Sequence, residues 1–292
     1  MPIQLNSYNT QYKNTPFQTD GGIQYPYTVV VTLFDEHKKE IEYLERAYID
    51  ADLLYKKIDD NEELNLDQCY CPEFSLHEYR KSRNLAANKI IHLKNFSAYQ
   101  AIFEGKDSID FSFCDFGDSY KNFEQTLFLN CKVRFQGALF RKGGINFSYC
   151  IFDNGELDFS YVKIDTGELN FKNATFGNGT KNFQNIFFGK GKMLFQNVSF
   201  NKGDVFFVDS RFEEGNISFK VSSFKEGKID FHYAKFGTCN LSFERTEFGD
   251  GKVDFRTTEF NESKVNFNRS VFGDGDKTFE GAQIMNGKLT FK

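Results

Sequence analysis

The chain has 292 residues and 33.9 kDa, with 40% apolar residues, 26% charged residues and a net charge of −5. That balance suits a folded globular protein. It excludes a global basic field for nucleic acid or an anionic membrane, and no run of about 20 apolar residues could span a bilayer.

The opening Met1-Pro2-Ile3-Gln4-Leu5-Asn6 lacks the basic and apolar regions of a secretory leader. Residues 1–27, rich in Asn, Gln and Tyr, predict an extended arm or loop. Thr28 to Phe34 predicts a strand by its β-branched content. Asp35 is placed to cap a helix carrying Ile41, Leu44, Ala47, Ala51, Leu54 and Ile58 at helical spacing. Ser75 and Glu78 form a capping box that opens a second helix to about Ile90. From there Ile91/Leu93, Phe96/Ala98 and Ala101/Phe103 pair at five-residue steps. Residues 1–90 therefore read as an arm and a small mixed α/β cap, and residues 91–292 as a repeat domain. Residues 1–107 carry 17 acidic and 12 basic groups against 24 and 24 beyond, so the net acidity sits in the cap.

Of 37 Phe, sixteen fall at every twelfth position from Phe111 to Phe291. A second twelve-residue series from Phe116 is Phe at thirteen of fifteen positions, the exceptions being Ile164 and Ile284. Two residues before each first-series Phe the residue is apolar in thirteen of sixteen cases; before the second series it is small or β-branched, as at Cys114, Thr126 and Ala138. A spacing of two puts both side chains on one face of a strand, so each unit reads as two short strands. The third residue of each longer link is Gly in eleven of fifteen cases, which implies either a positive φ or close approach to the next coil. One unit per coil is too narrow for two Phe per layer. Two units give a lap of about 24 residues with four short faces and four inward Phe.

Inward pairs at i−2 and i, with a small residue at i−2, resemble the pentapeptide-repeat proteins: Cys114/Phe116, Ala138/Phe140, Ala174/Phe176 and Ala234/Phe236. The resemblance covers about residues 91–292, although the step here alternates five and seven and Phe dominates. It implies an all-β, right-handed quadrilateral parallel β-helix.

Six Cys are spread without a pair placed to bridge within the repeats, which favours a reducing, cytoplasmic setting. Cys69-Tyr70-Cys71 with His77 or His92 is a weak metal pattern, and no metal or cofactor is expected. Lys121, Lys181 and Lys277 fall at inward positions, where a buried stem with the ammonium escaping at the corner is expected. Asp110, Asp158, Asp230 and Asp254 share one repeated position and read as a solvated strand face. No nucleophile elbow, phosphate loop or Ser/His/Asp constellation occurs, so a non-enzymatic protein is expected.

Outward apolar residues mark interface candidates. Leu127, Tyr149 and Ile151 lie on one side, and Phe113, Leu139 and Tyr161 on another, either against the cap or as an oligomer interface. Phe187 and Phe206, with Val208, form a second group. At the carboxyl end the pattern runs through Leu289 and Phe291 without a capping element, leaving Ile284, Met285, Leu289 and Phe291 as candidates for end-to-end association into a dimer or filament. The leading expectation is a scaffold or protein–protein interaction module that self-associates. Two alternatives stay open: by resemblance, a DNA-mimicking protein that binds type II topoisomerase (gyrase), and a carbohydrate-active β-helix enzyme.

Overall fold

Two inward side chains on a three-residue strand leave the chain one way to continue: a turn, another short strand, and a pairing partner one lap away. The computed structural model describes residues 5–292 and has this form. Met1–Gln4, where the reading of a missing leader begins, lie outside the described residues. The fold is an all-β solenoid of parallel sheets, 6% helical, with about 10 turns of about 24 residues. Register fixes the lap: Ile109 pairs with Val133, Val133 with Leu157, Leu157 with Lys181, and Lys181 with Val205.

Each lap sends four rings inward, so the Phe form four columns, which enter the strict twelve-residue register at Phe111, Phe116, Phe123 and Phe128. Phe195 shows the packing rule. It stacks on Phe171 at 5.1 Å and on Phe219 at 4.9 Å, with planes 4° and 5° apart. Phe183 and Phe207 of the facing column meet it edge-on at 5.5 and 6.0 Å. Offset stacking along a column and edge-to-face contact across columns both satisfy the ring quadrupole. Ile164 fills one ring position and is fully buried. Hydroxyls at the small inward position are not orphaned. Thr126, Ser210, Thr246 and Thr258 donate to main-chain carbonyls of the preceding lap at 2.6, 2.7, 2.6 and 2.8 Å.

The corners have a regularity that residue identity hides. Every twelfth residue from Phe113 to Gly281 has a left-handed φ between 48° and 68°. Polar residues that precede first-series Phe close the same turn: Asp110, Asp158, Asp230 and Asp254 each accept the N–H two residues on. These carboxylates are therefore turn-closing groups, not a solvated face, and Asp110, Asp230 and Asp254 are buried. In the longer links both explanations for glycine hold. Gly143 has φ +82°, whereas Gly203 lacks a left-handed φ but a Cβ there would lie 1.9 Å from the carbonyl oxygen of Gly179.

The cap starts with β1 (Ser7–Lys13), the two-residue β2 (Phe17–Gln18) and β3 (Gln24–Tyr25), then β4 (Thr28–Phe34) and β5 (Glu40–Tyr48). The segment expected as an arm thus contains a strand, β1, antiparallel to β4, and β4 is antiparallel to β5. The helix expected from Asp35 is confined to α1 (Ala51–Asp59), capped by Asp50, whose carboxylate accepts the Leu53 N–H at 2.8 Å. Residues 40–48 are strand because β4 offers them a β-branched partner, and because Asp35 accepts the His37 and Lys39 N–H groups, closing a hairpin instead of starting a helix. After α1 come β6 (Glu63–Asn65), β7 (Cys69–Pro72) and α2 (Leu76–Ser82), which is capped by Ser75 as expected but ends short of Ile90. β5 pairs in parallel with β7, and β7 with Ile102–Glu104. The parallel ladders thus reach back across residue 91, to Glu63 on one face and to Ala47 on another. Phe74, Phe96 and Phe103 head three of the ring columns, 5.0, 4.9 and 5.4 Å from Phe111, Phe123 and Phe128.

Two substitutions test this packing by chemical denaturation. Phe195→Ala opens a cavity between stacked rings and should cost about 3–5 kcal/mol. Val221 is β-branched at φ 60°, so Val221→Asn should raise stability by about 1 kcal/mol.

Candidate functional site

The antiparallel strands of the cap do not lie flat beside the solenoid. Val29, Val31 and Leu33 of β4 form a second core with Tyr70, Ile102, Leu127 and Ile151, which point outward from the coils. The hairpin sheet therefore curls back over one outer face. Polar contacts fix the curl. Glu104 accepts the Tyr8 hydroxyl at 3.0 Å, the Tyr70 hydroxyl at 2.5 Å and the Thr10 hydroxyl at 3.4 Å. Burial, reinforced by that carboxylate, pushes the Tyr8 and Tyr70 hydroxyls well above the usual tyrosine range, so they stay donors. Tyr12 and Tyr48 pack with Tyr70 at 6.0 and 6.5 Å.

Where β5 leaves this small core, a groove of about 610 Å³ opens between it and the coils. Leu127 and Ile151 form its floor, Leu44 and Glu42 its overhanging wall, and Gln125 and Asn173 its opposite wall. Arg46 closes the inner end: its Nε donates to the Gln100 carbonyl at 2.6 Å and its Nη1 to the Glu45 carbonyl at 2.8 Å. Burial lowers its pKa. The Gln and Asn side chains of the wall stack in register, Gln100 Nε2 to Gln125 Oε1 at 2.8 Å and Asn197 Nδ2 to Asn173 Oδ1 at 2.8 Å.

The sequence-derived candidates divide accordingly. Leu127 and Ile151 are buried against the cap strands, while Tyr149 lines the groove and is 54% exposed. Phe113 is half-buried under α2, with the Arg80 guanidinium 5.8 Å from its ring centre. Leu139 is half-buried and Tyr161 is 61% exposed, so these two do not join Phe113 in one cluster against the cap. Phe187 is half-buried with the Lys163 ammonium over its ring, and Phe206 and Val208 belong to the neighbouring face. On the last coil Ile284, Met285 and Phe291 are 44%, 69% and 56% exposed, and Leu289 is half-buried. Sequence reasoning missed Arg46, Glu104 and Tyr8; the available signal was the period-two run Tyr8, Thr10, Tyr12 facing Val29, Val31, Leu33.

All six Cys are free and buried. Burial pushes the Cys69 thiol up to about 12 and also raises the Cys71 thiol well above its usual range. His77 and His92 have exposed side chains, and among the described residues no three His, Cys, Asp or Glu side chains converge as metal ligands would. No helix of the described residues is long and apolar enough to cross a membrane. No protein-family profile matches the chain, and no curated protein is similar to it.

The inward lysines depart from expectation. The Lys181 ammonium does not escape at the corner. It stays inside, donating to the Gly177 carbonyl at 2.8 Å and to the Phe200 carbonyl, one lap on, at 2.7 Å. Lys121 is likewise buried and bonded to Ser119, and Lys277 to the Gly273 carbonyl. Burial pulls the pKa of Lys181 down to about 7 from 10.5. Between those values the unfolded chain holds a proton that the folded chain does not, so stability rises with pH across that window and the full penalty stands below about pH 7. Lys181→Met should therefore stabilise most below about pH 7, by at most on the order of 5 kcal/mol. The gain should shrink as pH rises toward 10.5, as read from urea midpoints across that range.

Proposed function

We propose that this protein is a non-enzymatic scaffold and protein-interaction module, related to the pentapeptide-repeat proteins, that self-associates through the coil formed by residues 268–292. The observation that carries the reading is the apolar surface of that coil, where Ile284, Met285 and Phe291 stand exposed on a layer otherwise built like the buried laps. Phe291 stacks on Phe267 at 4.9 Å, within the 4.8–5.1 Å that separates the interior rings of its own column, and its other side is exposed. A surface of this kind fits another coil-like layer better than a small ligand.

The rod faces favour this reading over DNA mimicry. Charged residues pair one lap apart, Lys132 with Glu156, Lys190 with Glu214, Lys220 with Glu244 and Lys235 with Glu259, at 2.7–2.9 Å. Each such exposed pair contributes little stability. Together they cancel the acidic field that imitation of a phosphate backbone requires. A reducing, cytoplasmic setting belongs to the same proposal and rests on the six free thiols.

Light scattering over a wide concentration range checks the association. The native chain should gain mass with concentration, and Met285→Glu combined with Phe291→Glu should hold it monomeric. A native chain that stays monomeric throughout would remove the self-association.

A further inference from the structure

β5 is paired on both edges only at its carboxyl end. Main-chain groups alternate sides along a strand, so the open side can be assigned. The Tyr48 N–H donates to Tyr27 on the β4 side, while the Ala47 and Ile49 N–H groups donate to Gln68 and Tyr70 on the β7 side. Odd-numbered residues of β5 therefore face β7, yet pairing with β7 involves only Ala47 and Tyr48. The N–H and C=O of Tyr43 and the N–H of Glu45 meet no strand among the described residues. The Glu45 carbonyl is already taken by Arg46. This open edge borders the groove floored by Leu127 and Ile151.

We propose that the groove binds an extended peptide segment of a protein partner, added as a strand along the Tyr43 edge. Its apolar side chains face Leu44, Leu127 and Ile151, and a Lys or Arg meets Glu42 at the outer end. Three independent features select that occupant. Unpaired main-chain groups specify another backbone. The amide wall of Gln125 and Asn173 offers both donors and acceptors, the chemistry of a peptide bond. The charge is also one-sided. Glu40 and Glu42 form no ion pair among the described residues, whereas the groove's one lining cation, Arg46, is held on two carbonyls at the closed end. A volume of about 610 Å³ suits a short strand segment and not a folded domain. This surface lies on the early coils, away from residues 268–292, and deepens the reading of the protein as an interaction module.

The test uses the full chain and a labelled, capped heptapeptide with an amino-terminal Lys followed by alternating Thr and Val, followed by fluorescence anisotropy. Saturable binding is expected. N-methylation of the alternate set of peptide amides that faces Tyr43 should weaken it at least tenfold, and methylation of the set that faces the Gln125 and Asn173 side chains should weaken it less, because those side chains can turn away whereas the Tyr43 main chain cannot. Tyr43→Pro should weaken it similarly; it removes an N–H that β4 does not use, so the fold is retained. Glu42→Lys should shift preference at least tenfold toward the peptide with Glu in place of Lys. Absence of saturable binding, equal effects of the two N-methylated sets, or an unchanged charge preference in Glu42→Lys would each overturn the proposal. Phe291→Glu should leave peptide binding intact, so the groove and the self-association succeed or fail separately.

Discussion

A phenyl ring stacked on the ring one lap away is the contact on which the rest of the structure depends. Parallel strands are set about 4.8 Å apart by their hydrogen bonds, and the ring centres repeat at 4.8 Å (Phe123 to Phe147) and 4.9 Å (Phe195 to Phe219). Rings at that separation cannot lie face to face in van der Waals contact, so they tilt and slide. The facing column fills the remaining space edge-on, as Phe183 and Phe207 do beside Phe195. Two columns interlocked in this way tolerate no change of lap length, because one extra residue turns a ring outward. That is the physical reason the Phe series runs from Phe111 to Phe291 without a break. It also makes the corners crowded, which is why a Cβ at Gly203 would strike the Gly179 carbonyl.

The repeating part of the fold was legible because its information is periodic. Twelve-residue spacing located the rings, and the volume of four Phe per layer selected a 24-residue lap, which the pairing of Ile109 with Val133 bears out. What periodicity does not carry was misread. Residues 40–48 contain apolar positions compatible with a helix, and only their partner strand β4 decides for β structure. Asp254 looks like any outward residue of a strand. Its burial follows from the turn it closes and from Arg256, at 2.7 Å, with Lys228 and Lys252 around it. The left-handed corner at every twelfth residue is occupied by Phe, Tyr, Val, Arg and Thr as well as Asn and Gly, so composition alone does not reveal it.

The candidate site was half visible for the same reason. Leu127 and Ile151 stood out as apolar residues where the repeat places polar ones. The residues that cover them come from β4, in a sheet held down by Tyr8 and Thr10 on Glu104, 96 and 94 positions away, and no local spacing encodes a sheet that folds back on its own continuation. Lys181 shows the opposite failure. Its inward position was read correctly, but the general habit of a long cationic chain to reach water gave way to two main-chain carbonyls lying closer than the surface.

The cap solves one problem and creates another. A first coil exposes a strand edge and a layer of rings; Phe74, Phe96 and Phe103 cover the rings, and β7 and β5 continue the sheet. Continuing a sheet only moves its edge outward, however, and here the new edge is managed by curling the hairpin back onto the coils. Only Ala47 and Tyr48 at the carboxyl end of β5 pair with β7, and the residues before them part from it, so the strand that ends the parallel ladder is also the strand left with an open side. Arg46 covers part of that opening by bonding the carbonyls of Glu45 and Gln100, in the way that charged side chains blunt exposed edges elsewhere. Tyr43 lies beyond its reach. The open stretch of β5 is thus a geometric consequence of joining an antiparallel hairpin to a parallel solenoid, and its position beside the apolar pair Leu127 and Ile151 is what turns an edge into a surface with chemical selectivity.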